Sequence, residues 1–229
     1  MAEITNNPSR SEYEALDKAK DFWAKYGKGV LIALGAIVVL GGGWLAYKSF
    51  VKDPKEAKAN DAIWRSQLYF GEDSLQKALK GDGPALGAER VASQYDGTKQ
   101  GNLANYYAGV ISLRSGDNDK AVKYLKDFST DSKIIQARAY KLLADAYANL
   151  NKNSDALANY KKAAHEFEQD FQGSAEYLFY AGYFADKVMN DKKAATEIYQ
   201  ELVKKFPGSS QSADAEKFLA QAGVYKSED

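Results

Sequence analysis

Arg138–Tyr160 reads RAYKLLADAYANLNKNSDALANY, and this stretch decides the fold. Its apolar and small residues recur every three or four positions on either side of a polar turn, NKNSD, which is the pattern of two helices folded back on one another. Ala144 and Ala156, twelve positions apart, are small enough to let those helices approach closely. The same arrangement occurs twice more. Asn102–Tyr124, NLANYYAGVISLRSGDNDKAVKY, places Gly109 and Ala121 around the turn SGDND, and Glu176–Ile198, EYLFYAGYFADKVMNDKKAATEI, places Gly182 and Ala194 around MNDKK. From Gly109 to Ala144 is 35 residues and from Ala144 to Gly182 a further 38. Three in-phase copies of one supersecondary unit predict an all-α solenoid of helical hairpins.

Outward from the repeats, Ser210–Ala220 predicts a helix that closes the exposed end, within a C-terminal stretch of 208–229. Upstream, 55–100 is helical in pattern but carries no copy of the repeat: one helix over 55–69, a second over 73–79, a turn at Gly81–Gly83, a third opening at Pro84 and ending near Tyr95, then the turn Asp96–Gly97. The repeats themselves occupy 101–207.

Gly29–Tyr47 is the one stretch without charge for a full helix length: nineteen residues with no ionisable group except the terminal tyrosine. At about 1.5 Å per residue they reach across a hydrocarbon core of roughly 30 Å. Gly35 and Gly41–Gly43 suit a membrane helix better than an aqueous one, and Trp23 and Tyr26 at one end with Trp44 and Tyr47 at the other resemble an aromatic belt. A cleavable signal fits less well, because a long charged preface comes first and a cut after Ala46 puts Trp44 at a site that wants a small residue. The segment is expected to be a retained anchor in a lipid bilayer. Lysines flank it almost equally, Lys18, Lys20, Lys25 and Lys28 before and Lys48, Lys52, Lys55 and Lys58 after, so charge does not orient it. In the preceding tail, 1–28, Tyr13–Tyr26 repeats Leu16, Ala19, Trp23 and Tyr26 at helical intervals; it forms either an amphipathic surface helix or an extension of the anchor.

Composition narrows the function. Of 229 residues, 31 are basic and 31 acidic, without the local cationic excess that phosphate recognition needs, so nucleic acid is not expected as a partner. The chain has no cysteine and one histidine. His165, in HEFEQDF, has no second histidine at ligand spacing; the Gly81–Asp82–Gly83 turn follows no strand and precedes no GxxxxGK; and there is no GxSxG elbow. Neither an enzyme nor a metal or cofactor is expected.

The three copies are similar to the tetratricopeptide repeat. Ala108-Gly109, Ala121 and Leu125 carry the likeness in the first; Tyr140, Leu143-Ala144, Tyr147, Ala156, Tyr160 and Ala163 in the second; Leu178, Ala181-Gly182, Ala194 and Ile198, with Pro207 beyond, in the third. The first copy lacks the early aromatic and the third has Ala185 where tyrosine is common. The resemblance implies that the first helix of each pair lines a concave surface. Projected onto it are Leu103, Tyr106, Val110 and Arg114; Arg138, Lys141, Asp145 and Asn149; and Glu176, Phe179, Tyr183 and Lys187. Tyr106, Phe179 and Tyr183 would then anchor a peptide or partner helix, while Arg138 and Lys141 pair with a carboxylate. Alternatively, several of these aromatics pack between helices. Trp64, Tyr69 and Phe70 mark a second interface for self-association or a partner.

The plan of tail, single anchor and divergent repeats resembles the YfgM-like family of ancillary SecYEG translocon subunits, and the Gly-rich turns resemble those of anchored repeat proteins from Bacteroidota. The resemblance implies a single-pass protein of the bacterial inner membrane, N-terminus cytoplasmic and repeats periplasmic. It also implies a SecYEG-like translocon and a membrane-anchored periplasmic chaperone as partners, with exported polypeptides as clients. A scaffold or assembly subunit of another envelope or outer-membrane biogenesis complex is the alternative.

Overall fold

The computed structural model describes residues 10–224, which leaves the beginning of the tail (1–9) and the final residues 225–229 of the expected C-terminal tail outside the described residues. The chain divides after Pro54 into two compact units.

The first unit is helix α1, Arg10–Tyr47, followed by a π-helical turn at Lys48–Lys52. Tyr13–Tyr26 is the opening part of this helix, so of the two readings of that segment the structure takes the helical extension. Leu31, Ile32, Leu34, Ile37, Val38, Val39 and Leu40 all stand exposed on α1. A helix apolar on every side has no polar face to turn to water, and one long enough to cross a membrane meets lipid naturally. This is the helix among the described residues whose length and hydropathy meet that requirement.

Among the described residues the second unit consists of helices joined by short loops, with one two-stranded hairpin. Its front part comprises α2 (Asp53–Gly71), α3 (Leu75–Lys80), strands β1 (Gly81–Asp82) and β2 (Ala85–Leu86), and α4 (Ala88–Gln94). The hairpin corrects the expected helix from Pro84. Gly81 has φ +95° and a Cβ there would lie 2.1 Å from the Ala85 carbonyl oxygen, while Gly83 has φ +57°; left-handed glycines turn the chain back, and α4 begins only at Ala88. Asp73, also left-handed, delays α3 to Leu75. Ile63 of α2 packs with Val91 and Ala92 of α4 and with Ala104, and the Ser66 hydroxyl donates to the Ala78 carbonyl at 2.7 Å.

Three antiparallel pairs follow: α5 (Lys99–Arg114) with α6 (Asn118–Asp127), α7 (Lys133–Asn149) with α8 (Asn153–Glu166), and α9 (Phe171–Lys187) with α10 (Lys192–Lys205); α11 (Ser210–Gln221) packs on α10 and α9. Each pair also packs on the next, so the unit is a tetratricopeptide-like solenoid. One left-handed residue turns each hairpin: Gly116, Asn151 and Asn190. Asp117 and Asp191 then cap α6 and α10, accepting from the backbone N–H of Lys120 and Ala194.

The small positions act as the spacing predicts. At Gly109 a Cβ would lie 2.6 Å from Leu125 Cγ, and at Gly182 it would lie 2.6 Å from the Tyr199 ring. Ala121, Ala144 and Ala156 are fully buried. In the third pair the buried partner is Ala195, with Ala194 only partly covered. The largest apolar cluster joins α7 through α11, with Tyr160, Leu178, Phe184, Tyr199 and Leu202 among its members.

Candidate functional site

The expected face is built on α5, α7 and α9, the first helices of the three pairs. Arg138, exposed near the start of α7, stands at its centre. Its guanidinium lies beside two phenols from the neighbouring first helices, Tyr106 of α5 and Tyr177 of α9. Burial pushes both phenols above their ordinary pKa, and the Arg138 charge works in the opposite sense. Tyr106 is held by Phe128, whose ring centroid is 5.0 Å away. One exposed cation thus stands beside two phenols carried by the first helices of the pairs before and after its own. That set offers hydrogen-bond donors to an acceptor oxygen and ring edges to an apolar group.

Lys141 and Asp145 also come together, but with each other. The Lys141 ammonium donates to Asp145 Oδ2 at 2.8 Å, and the Tyr160 hydroxyl of α8 donates to Asp145 Oδ1 at 2.8 Å. Lys141 Nζ also sits 5.1 Å from the Tyr180 ring centroid, and the Tyr180 hydroxyl donates to Glu176 Oε1 at 2.9 Å. Burial and then the Asp145 charge push the Tyr160 phenol far up, so it remains a donor. Lys141 is therefore already paired, and the expectation that it meets a ligand carboxylate narrows to Arg138.

The other projected residues disperse. Arg114 pairs with Asp73 at 2.7 Å and lies over the Phe70 ring, so it ties α5 to the front of the unit. Asn149 donates to Asn118 Oδ1 at 3.0 Å, bridging α7 to α6. Leu103 is half-buried within the front cluster and Val110 is half-buried. Phe179 packs against Tyr199 and Phe218, and Lys187 pairs with Asp186 at 2.8 Å. Tyr183 stacks beside Phe179 with 46% of its surface exposed, the most open aromatic of the face. Of the second interface, Tyr69 and Phe70 pack into the front cluster, and Trp64 alone remains exposed.

Tyr177 and Tyr180 are the members that the projection missed. Each lies one residue beyond a chosen position, Glu176 or Phe179, and a wider stripe on α9 includes both.

His165 joins a surface ion cluster: its Nδ1 is 2.9 Å from Glu168 and its Nε2 3.6 Å from Glu201, and Lys205 pairs with both carboxylates. Among the described residues no group of three or more His, Asp or Glu side chains is placed to hold a metal ion, and the chain has no cysteine. The architecture is that of a repeat scaffold.

Comparison with known families agrees on the last pair. A family described as "Tetratricopeptide repeat" matches residues 176–209, which run from Glu176 in α9 through α10 to Ser209. No curated protein matches the chain. The C-terminal repeat region is thus similar to tetratricopeptide repeats, and it accompanies a single N-terminal apolar helix suited to a membrane anchor.

Proposed function

We propose that this chain is a noncatalytic accessory subunit of membrane protein-export machinery. Its anchor lies in the bacterial inner membrane with the N-terminus cytoplasmic, and its repeat unit engages an emerging polypeptide or a membrane-anchored chaperone on the periplasmic side. The observation that carries the reading is the Tyr106–Arg138–Tyr177 set, an exposed cation beside two phenols on the first helices of three successive pairs, in a chain that also has a lipid-suited helix.

The physical logic is recognition without chemistry. An extended polypeptide presents carbonyl oxygens along its length, and a guanidinium with adjacent phenols donates to them without demanding a particular side chain. Tyr180 and Tyr183, both exposed on α9, extend the surface with rigid amphipathic rings. Confinement to a membrane raises the effective concentration of such a surface beside other membrane complexes, so modest affinity suffices. The likeness in plan to YfgM-like subunits supports a SecYEG-like translocon as the neighbouring complex.

Purification from membranes in mild detergent tests the proposal. Recovery of translocon subunits and a periplasmic chaperone with the wild-type chain, reduced by Arg138→Glu, is the expected result. Reproducible recovery of an unrelated envelope complex without them overturns it and favours a scaffold role in that assembly.

A further inference from the structure

Ahead of its apolar span, α1 carries an exposed apolar face. Leu16, Ala19, Trp23 and Tyr26 follow one another at intervals of three, four and three residues, the spacing of the a and d positions of a heptad. Leu16, Trp23 and Tyr26 are each at least half exposed, and so is Phe22 beside them. In that register the charges fall elsewhere. Glu14, Asp17, Lys18, Asp21, Lys25 and Lys28 all occupy b, c or f, on the far side of the helix, and Lys20 alone stands at the edge of the apolar face.

A lipid surface could cover such a face only if the helix lay flat on it, and the backbone runs otherwise. α1 is one α-helix from Arg10 to Tyr47, continuous through Gly27 and Gly29, so its first part extends along the axis of the span. At about 1.5 Å per residue, Leu16 and Ala19 stand roughly 15–20 Å beyond Gly29. Headgroups add only about 5–8 Å to each side of the hydrocarbon. Tyr26 lies at that layer, but Leu16 and Ala19 project past it into water, where an apolar stripe is stable against another helix.

The local geometry fits a helix. An open groove is lined by Leu16, Ala19, Lys20 and Trp23, at positions i, i+3, i+4 and i+7. That is the four-residue outline of the hole that receives a side chain in knobs-into-holes packing. Small Ala19 lets a partner approach between the larger Leu16 and Trp23.

A second copy of the chain meets these demands by insertion alone. Copies of a single-span protein enter the bilayer in one direction, so their α1 helices are parallel and each stripe residue stands level with its counterpart. With the charges at b, c and f, no like charges oppose one another across the seam. Lys20 stays at the rim, its side chain 78% exposed and its ammonium 3.8 Å from Asp17 of its own helix. The same spacing continues into the span as Val30, Ala33, Ile37, Leu40 and Trp44. Every face is apolar there, so the segment ahead of the span is the part that selects the seam.

We propose that α1 is a dimerisation helix, packing along a second copy of itself, parallel and in register, through Leu16, Ala19, Trp23 and Tyr26. The proposal rests on the anchor and does not depend on the role in export.

Disulfide crosslinking tests it directly, because the chain has no cysteine of its own. Full-length variants Leu16→Cys and Ala19→Cys, on the stripe, and Glu14→Cys and Asp21→Cys, on the far side, are oxidised with copper phenanthroline in isolated membranes. The alkali-resistant fraction is then resolved on non-reducing gels. A disulfide needs Cα atoms within about 7 Å, so a product of twice the chain's mass is expected from positions 16 and 19 at about fivefold or more the yield from 14 and 21. Trp23→Glu, added to Ala19→Cys, sets two carboxylates against each other in the seam and is expected to lower the yield about fivefold. Trp23→Ala replaces it if the glutamate variant leaves the membrane fraction. Equal yields from all four positions, no dimer from 16 or 19, or an unchanged yield at 19 in a membrane-inserted Trp23 variant overturns the proposal. Adducts of another mass from 16 and 19 in place of the dimer assign the stripe to a foreign helix and overturn it as well.

Discussion

The Tyr160 hydroxyl reaches from α8 to Asp145 Oδ1 on α7 at 2.8 Å, and the other oxygen of the same carboxylate accepts from Lys141. One carboxylate thereby joins the two helices of the central hairpin, and Lys141 carries the link to the Tyr180 ring of the next. Removing the hydroxyl strands one oxygen of a half-buried carboxylate. Tyr160→Phe is expected to lower stability by roughly 1–3 kcal/mol, since hydrogen bonds to charged groups fall in that range. Denaturant unfolding in mild detergent, followed by circular dichroism, measures it; a loss within the scatter of ordinary surface changes, about 0.5 kcal/mol, contradicts the role assigned to this contact.

Gly182 and Gly109 allow close helix contact against different neighbours. At Gly182 an added Cβ meets the Tyr199 ring, already stacked on Phe218, whereas at Gly109 it meets Leu125, which has other rotamers to adopt. Gly182→Ala is expected to destabilise by about 1–3 kcal/mol and Gly109→Ala by less. Parallel thermal melts decide between them, and the reverse order contradicts the packing argument.

Acid should loosen the end of the solenoid. Hydrogen bonds from Lys187 and Lys192 hold the Asp186 carboxyl below its ordinary pKa. A depressed folded-state pKa stabilises the fold above the unfolded value of about 3.9 and loses that contribution as pH falls through the depressed one. The wild-type chain is therefore expected to lose part of its stability below the ordinary carboxylate range. Asp186→Asn should be less stable at neutral pH and lack that part of the acid slope. Unfolding curves at stepped pH test the difference, and superimposable slopes contradict it.

The anchor has its own test. Val38 and Val39 lie mid-way along the apolar part of α1 and are exposed. An arginine at the centre of a membrane helix costs about 2.5–3.5 kcal/mol in insertion. The double variant Val38→Arg/Val39→Arg is expected to move the chain from the alkali-resistant membrane fraction to the soluble one. Retention in the membrane contradicts the anchor.

The sequence made the solenoid legible because its information is local and repeated: a small residue in each first helix, a left-handed Gly or Asn at each turn and a common register. The front of the second unit lacks that redundancy. Pro84 is an ordinary helix-opening signal, and only the left-handed backbones of Gly81 and Gly83 turn its surroundings into a hairpin. The candidate surface was partly legible for the same reason. Helical spacing puts Arg138, Lys141 and Asp145 on one face, but the face does not reveal that Lys141 and Asp145 satisfy each other or that Tyr160 arrives from a different helix.

Photocrosslinking in intact membranes tests the central claim most directly. A photoreactive amino acid replaces Tyr183, on the candidate surface, or Lys123, exposed on α6, a second helix of its hairpin. Adducts with an exported polypeptide, a chaperone or a translocon subunit are expected from position 183, and far fewer from position 123. Equal adducts from both positions, or none from 183, contradict it.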